Sequence, residues 1–583
     1  MHLNYIDNKR GQIMKKRFIS LLAIGLSCMM ILGGCGNKGP EQSENGGSSS
    51  VQMDSEQVLN TIYFEVATLD ANDTTDNQSS SILNAVQEGL VRIENNGKGD
   101  EIVPAGAEKW ETSEDGLTWT FHLRKMNWSD GEAVVAKHYV DSFQRILNPD
   151  NGFAYGFLAY DIEGAEEYNT GKGTVDAVGV KAVDDYTLEF KLKHPVPYFA
   201  SKVSYTTFHP IRLDIIEKLG DKYASEIKDT VYNGPFKIES WDNGNSMVLV
   251  KNDTYWDADN VYLQKINMTK IQEFATQAQL FEAQELDITG AQTDYIEKWT
   301  ERADAGEFQK LTGEDPGSFY LYFNQKSESA SGILKNAKIR KAIGLSIDRD
   351  VYTKDLVGRF QSAYGIVPTA INVGDEKYRD KVEGPLESDA KTYVNNKEKL
   401  QELFKEGLKE LGLQTDDLSK YELTYLSQGS SELQKQRSEW LAQQVNGNLG
   451  IKINVETQGD WGVYLSIMDK LEYDFTMSGW SADYNDPMSF LDIWVSNGGN
   501  NHTGYADTEY DELLKSVYKE TEQDKVTEIY KKLENKLVNE DAVISPVYYT
   551  DKYAFYQNYV KDIQFTSFGS VYEFKHAYIQ GKN

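Results

Sequence analysis

Residues 473–480 have the composition of a strand and run directly into Ser481-Ala482-Asp483-Tyr484-Asn485. A chain leaving a strand end is held by the scaffold, so a carboxylate there is well placed to bind a ligand. A fixed carboxylate that accepts from an ammonium forms a charge-assisted hydrogen bond worth roughly 1.5–3 kcal/mol. The residues alone leave a second reading open, in which Asp483 and Asp486 form a solvated acidic turn.

Other chemistry is poorly represented. The seven histidines are His2, His122, His138, His194, His209, His502 and His576, and none falls in an H-E-x-x-H pattern or an i,i+4 pair. There is no G-x-S-x-G elbow. Ser225-Glu226-Ile227-Lys228 has the S-x-x-K spacing without its companion motifs, and Gly164…Gly171-Lys172 is too long for a phosphate loop and is followed by Gly173. Gly34, Gly36 and Gly39 have G-x-G-x-x-G spacing but join no strand to a helix. Asp483, Asn485 and Asp486 hint at a calcium loop, but Pro487 stands where such a loop wants Asp or Asn. The chain is therefore expected to be neither an enzyme nor a cofactor- or metal-binding protein. Paired carboxylates assembled in space, as in a surface peptidase, are the rival reading.

The two cysteines, Cys28 and Cys35, both lie in the N-terminal apolar region, which excludes a disulfide scaffold. Lys15, Lys16 and Arg17 precede fifteen uncharged residues, Phe18 to Leu32, too short a run for the about 20 residues of a spanning helix. It suits the apolar part of a secretory signal, with Met1 or Met14 as the start. Leu32-Gly33-Gly34-Cys35 resembles a bacterial lipobox, so Cys35 is expected to be lipidated and to become the new N-terminus. The Gly/Ser/Asn/Glu-rich residues after it read as a flexible tether. This implies a lipid-anchored protein on the outer face of the cell membrane, in a Gram-positive bacterium.

The 583 residues carry 60 Lys+Arg against 91 Asp+Glu, a net charge of −31, which argues against a nucleic-acid partner. With 40% hydrophobic residues the balance is globular, and no fixed-period repeat suggests a solenoid. Residues 58–64, 117–123, 187–192, 236–238, 451–455 and 473–480 read as strands, and 117–123 alternates apolar with polar. Residues 337–346, 432–449 and 525–538 read as helices, the second with Leu433, Trp440, Leu441, Val445 and Leu449 on roughly one face. Short strands alternating with helices predict α/β lobes. Residues 95–99 and 325–331 are polar enough to be lobe crossings.

Residues 115–149, DGLTWTFHLRKMNWSDGEAVVAKHYVDSFQRILNP, resemble the signature region of family 5 of the extracellular solute-binding proteins, which serve peptide ABC importers. Residues 179–199, Asn233-Gly234-Pro235-Phe236, 252–256, 339–350 (IRKAIGLSIDRD), 479–491 (GWSADYNDPMSFL) and Pro546-Val547-Tyr548-Tyr549 continue the resemblance in family order. The oligopeptide-binding proteins are the most similar subgroup. Several of these pieces also have plain structural explanations, such as turn chemistry at Asp130-Gly131, so residues 124–131 are expected to determine fold more than ligand.

The resemblance implies an α/β fold of two lobes, periplasmic-binding-protein-like (type II), with an extra subdomain in the first lobe. Residues 1–34 would be the signal peptide and 35–57 the lipidated cysteine and tether. The first lobe would comprise 58–96, 230–317 and 553–583, with the inserted subdomain at 97–229 and the second lobe at 318–552. Hinge crossings would lie near Phe323-Asn324 and Tyr548-Tyr549. The protein would be a monomer that closes around an oligopeptide and docks on the transmembrane subunits of an ABC permease. A dipeptide, peptide pheromone, nickel chelate or oligosaccharide is the alternative cargo.

Residue by residue, the resemblance gives Asp483 the ligand's α-amino group and places Gly479, Trp480 and Ser481 along its backbone. Asn77 and Tyr548 fall on positions that also face ligand. Enteric members place arginines for the ligand's C-terminal carboxylate where this chain has Met477 and Met468, and a histidine used for the same purpose aligns with Gln434. Methionine cannot pair with a carboxylate, so the C-terminus is expected to go unrecognised, against an adaptable Met surface.

Overall fold

The computed structural model describes residues 53–582 except 96–99, 197–198, 293, 375, 497, 521, 569 and 571. The signal peptide, Cys35 and most of the tether lie outside the described residues, as do four of the five residues 95–99.

Three sheets organise the described chain. In the first, Val58–Ile62 runs parallel to Lys265–Thr269, which is followed by antiparallel Ser246–Lys251 and Phe236–Asp242. The second is antiparallel, in the order Ala107–Thr112, Thr118–Leu123, Thr187–Lys191, Val180–Asp184. The alternation expected for Thr118–Leu123 is observed: Trp119, Phe121 and Leu123 are buried under the helix Ala136–Leu147, while His122 faces outward toward Glu111.

The third sheet has seven strands. Its main order is Ile288–Thr289, Ile544–Tyr556, Gln309–Phe323, Phe475–Ser481, Glu422–Gln428, Lys452–Gln458, with Gln361–Ser362 beside Ile544–Tyr556. Its side chains split by strand parity. Leu321 and Phe323 join the core under helices Ala337–Leu345, Lys397–Glu410 and Glu432–Leu449, whereas Tyr320 and Tyr322 enter the core containing Tyr464 and Trp494. Arg349, 1% exposed, donates to the carbonyls of Gly344, Ile347, Ala363 and Pro546 and to Ser545 Oγ. That fan of bonds gives the segment IRKAIGLSIDRD a structural role.

Segments far apart in sequence meet at Arg92. Its guanidinium is buried between Glu88 (3.1 Å) and Glu573 (2.8 Å), and Tyr255 donates to Glu88. Asn84 also donates to Glu573, at 2.8 Å.

Phe323 ends the strand Gln309–Phe323, and Asn324 follows it. Asn324 Nδ2 donates to the carbonyls of Leu471 and Tyr473, and Ser327 Oγ donates to Asp474 at 2.5 Å, so the polar stretch is pinned to the strand beside it. Tyr548 and Tyr549 likewise lie inside the strand Ile544–Tyr556. The pairing of the two long strands is irregular between Glu314 and Ser318, opposite residues 549–551, and again between Phe319 and Tyr320.

Candidate functional site

The ladder between Phe475–Ser481 and Glu422–Gln428 stops at the pair Leu426–Thr476. From Met477 to Ser481 one edge of the strand pairs with residues 317–321, and among the described residues no strand lies beside the other. A strand edge presents unpaired main-chain N–H and C=O groups. This one borders a cavity of about 620 Å³. Met477, Gly479, Trp480 and Ser481 all line it, as do Met468 from the helix Trp461–Asp469 and Asn77 from the helix Asn77–Val86. Gly479 is needed for close approach: a Cβ there would come within 2.6 Å of the Phe319 ring.

Asp483 lies just beyond the strand, in a small extension of about 30 Å³ that shares Thr75, Asn77 and Tyr155 with the main cavity. Its position is fixed by the backbone. Ala482 N–H donates to Pro316 O (2.8 Å) and Asp483 N–H to Ser489 Oγ (2.7 Å). The side chain is 5% exposed and accepts from the Tyr155 hydroxyl at 3.3 Å and from Tyr205. Burial pushes this carboxyl up to about 7, although Tyr205, Tyr155 and the Lys202 cation pull it back. Asp492, half-buried nearby, is pushed to about 8 by desolvation and by Asp483 against the pull of Lys202. Lys202 itself pairs with Asp161. The solvated-turn reading of Asp483 is therefore excluded: the group is buried, held in place and short of positive charge.

Two other expected residues are placed differently. Tyr548 does not line the cavity. It is 7% exposed and stacks between Phe319 (4.8 Å) and Phe360 (4.6 Å), and it is Phe319, its partner across the strands, that lines the cavity. Gln434 lies in the first turn of Glu432–Leu449, where its N–H is capped by Ser431, and it is the preceding loop, Gln428–Ser431, that lines the cavity. Residues 124–131 contribute nothing to the cavity wall; the Arg124 guanidinium lies 3.5 Å over the Trp256 ring.

The calcium-loop hint resolves into local bonding. Asn485 Oδ1 accepts from Asn372 N–H, and Asp486 Oδ1 accepts from Met488 N–H and the Tyr530 hydroxyl. Among the described residues no group of three or more His, Cys, Asp or Glu is placed to hold a metal ion.

Sequence reasoning missed Tyr155, Tyr205, Lys202 and Asp492 around Asp483. Their partnership spans about 330 positions between Tyr155 and Asp483, and no local pattern signals it. It also missed Lys270, which lines the cavity paired with Glu65 at 2.8 Å.

This geometry gives a pH dependence for any ammonium-bearing ligand. An ammonium pairs with the ionised form of Asp483, so affinity is greatest from about pH 7 up to the α-amine's own pKa of about 8, above which the ligand loses its charge. It falls as pH drops below about 7, by up to about tenfold per unit, because binding must then expel a proton. Titrations between pH 5.5 and 8.5 are expected to show this loss in the native protein and not in Asp483→Asn. A flat native profile would contradict it.

The sequence profile of the bacterial extracellular solute-binding proteins, family 5 Middle, matches residues 101–502. The oligopeptide-binding protein OppA of Bacillus subtilis is 33% identical over 97% of this chain and 100% of its own length. The dipeptide-binding protein DppE of the same organism is 30% identical over 93% of this chain and 95% of its own length. A solved structure of Listeria monocytogenes OppA bound to peptide aligns with a TM-score of 0.81 at 31% identity, covering 91% of this chain and 100% of that one. The structural likeness gives the fold that the sequence implied, a two-lobed type II α/β architecture.

Proposed function

The chain belongs to family 5 of the bacterial extracellular solute-binding proteins, and from that premise we propose that it captures oligopeptides outside the cell and delivers them to an ABC permease. The family is one of substrate-binding proteins, which supports binding without catalysis. The observation that carries the reading is a strand edge, open from Met477 to Ser481, that leads to the buried carboxylate of Asp483. A peptide lying along that edge adds a strand, with main-chain hydrogen bonds that any sequence can make. Its ammonium meets Asp483. The edge is five residues long, roughly 16 Å at about 3.3 Å per residue, so it suits a peptide of about four or five residues better than a dipeptide.

An empty site leaves Asp483 with only the influence of Lys202, which is itself paired with Asp161, while a filled one adds the ligand's ammonium. Ligand therefore favours the closed state over the open one, as ligand-driven closure requires. In this reading the protein acts as a monomer, tethered to the outer membrane face by a lipid on Cys35.

Native mass spectrometry after incubation with a mixture of pentapeptides tests the function. Intact peptides are expected to be retained, and shortened products would instead indicate a peptidase. With Met477 and Met468 on the cavity wall, C-terminally amidated peptides are expected to bind within tenfold of the free acids. A larger penalty, above about 1.4 kcal/mol, would mean that the carboxylate is recognised after all.

A further inference from the structure

Beside Ser481 lies a second cavity of about 240 Å³, which shares Asn77, Asp315 and Ser481 with the main one. Ser481 ends the open strand edge and stands two residues before Asp483. A peptide held by its amine at Asp483 therefore passes this cavity with its first two residues. Their side chains point to opposite sides of an extended chain, so one of them can enter.

Lys552, from the strand Ile544–Tyr556, lines the second cavity and is half-buried. Its Nζ donates to the Thr566 carbonyl and to Ser567 Oγ, each at 3.0 Å, and both residues line the same cavity. An ammonium has three N–H donors, so one is left for a further acceptor. Both acceptors are neutral, and among the described residues no carboxylate forms an ion pair with Lys552. The other lysine and arginine on the two walls are paired, Lys270 with Glu65 and Arg359 with Asp551. Burial pulls the Lys552 ammonium down from the ordinary lysine value, and Asp100 and Asp315 pull it only partly back. Each of these carboxylates has a hydrogen bond of its own: Asp100 Oδ2 accepts from Ser567 N–H and Asp315 Oδ2 from the Thr550 hydroxyl, both at 2.5 Å. Burial also pushes the Asp315 carboxyl up, toward the uncharged form that does not repel a second carboxylate.

We propose that Lys552 makes the second cavity a subsite for an acidic side chain near the amino end of the bound peptide, with a glutamate or aspartate carboxylate accepting from its Nζ. Away from bulk water such a charge-assisted hydrogen bond is stronger than an ion pair on the surface. The net charge of −31 disfavours acidic ligands at long range, so a preference at one position needs a local cation, and Lys552 is placed to supply it. The subsite rests on the peptide-binding reading and makes it selective: the strand edge accepts any backbone, and Lys552 favours one class of side chain at one position.

The test is a set of pentapeptides carrying a single glutamate at each position in turn, each paired with its glutamine counterpart, titrated against the native protein and Lys552→Met. Glutamine keeps the shape of glutamate and removes the charge, and methionine keeps most of the lysine stem. At the first or second position, glutamate is expected to bind the native protein about tenfold or more tighter than glutamine. In Lys552→Met that ratio falls to about one. Lys552 also holds Thr566 and Ser567, so the variant's thermal unfolding curve is recorded, and the ratio within each protein cancels a general loosening of the site. The comparison in the native protein stands even if the variant does not fold. Equal binding of glutamate and glutamine peptides at both of the first two positions overturns the subsite and leaves peptide capture standing. So does a glutamate preference that survives in Lys552→Met. Failure of every peptide to bind overturns both.

Discussion

Asp483→Asn is expected to weaken binding of a free-amine peptide by about tenfold to a hundredfold. The substitution keeps size and shape and removes one charge. The amide oxygen can still accept from Tyr155 and Tyr205, and Asp483 N–H still donates to Ser489, so the local structure has every reason to persist. What is lost is a charge-assisted hydrogen bond in a site nearly closed to water, roughly 1.5–3 kcal/mol. At about 1.4 kcal/mol per decade this gives one to two decades in affinity. Isothermal calorimetry with one pentapeptide reads it directly, and unchanged affinity would remove Asp483 from the site.

Arg92→Met is expected to cost about 3–5 kcal/mol of stability, because it strips the cation from between Glu88 and Glu573 and leaves both carboxylates buried. Methionine fills much of the volume, so the loss reports charge more than packing. Arg92 also donates to the carbonyls of Asn84 and Gln87, and these would lose a partner. Urea unfolding followed by circular dichroism gives the measurement. Lys222, which pairs with Glu226 on the surface at 3.1 Å, is the matched control, and Lys222→Met should move the midpoint little. Similar behaviour of the two variants would mean that the buried cluster does not hold these segments together.

The elements most legible in the sequence are those whose signal is local. Thr118–Leu123 alternates because one face of its sheet is buried, and the apolar stripe of residues 432–449 marks a helix with the bounds that the structure gives. The polar run 325–331 has the composition of a linker, yet Asn324 and Ser327 bond to backbone and side chain near residue 474, partners about 150 positions away. Composition carries no information about such partners.

The site divides along the same line. The resemblance located the strand and its terminal aspartate, and Gly479, Trp480, Ser481, Met477 and Met468 do share a cavity with Asn77. It could not supply the stacking of Phe319 and Phe360 on either side of the Tyr548 ring, because these partners come from other segments of the chain. Nor could it supply the tyrosines and Lys202 that set the charge state of Asp483, because these come from residues 155–205 and meet it only in three dimensions.

The most direct test of the pairing between ligand amine and Asp483 is a two-by-two calorimetric measurement. One pentapeptide, with a free or an acetylated amino terminus, is titrated into the native protein and into Asp483→Asn. Acetylation and mutation each remove one half of the pair, so each alone should weaken binding by tenfold or more, and together they should cost little more than either alone. Native protein that binds the free and acetylated peptides equally well would contradict the account.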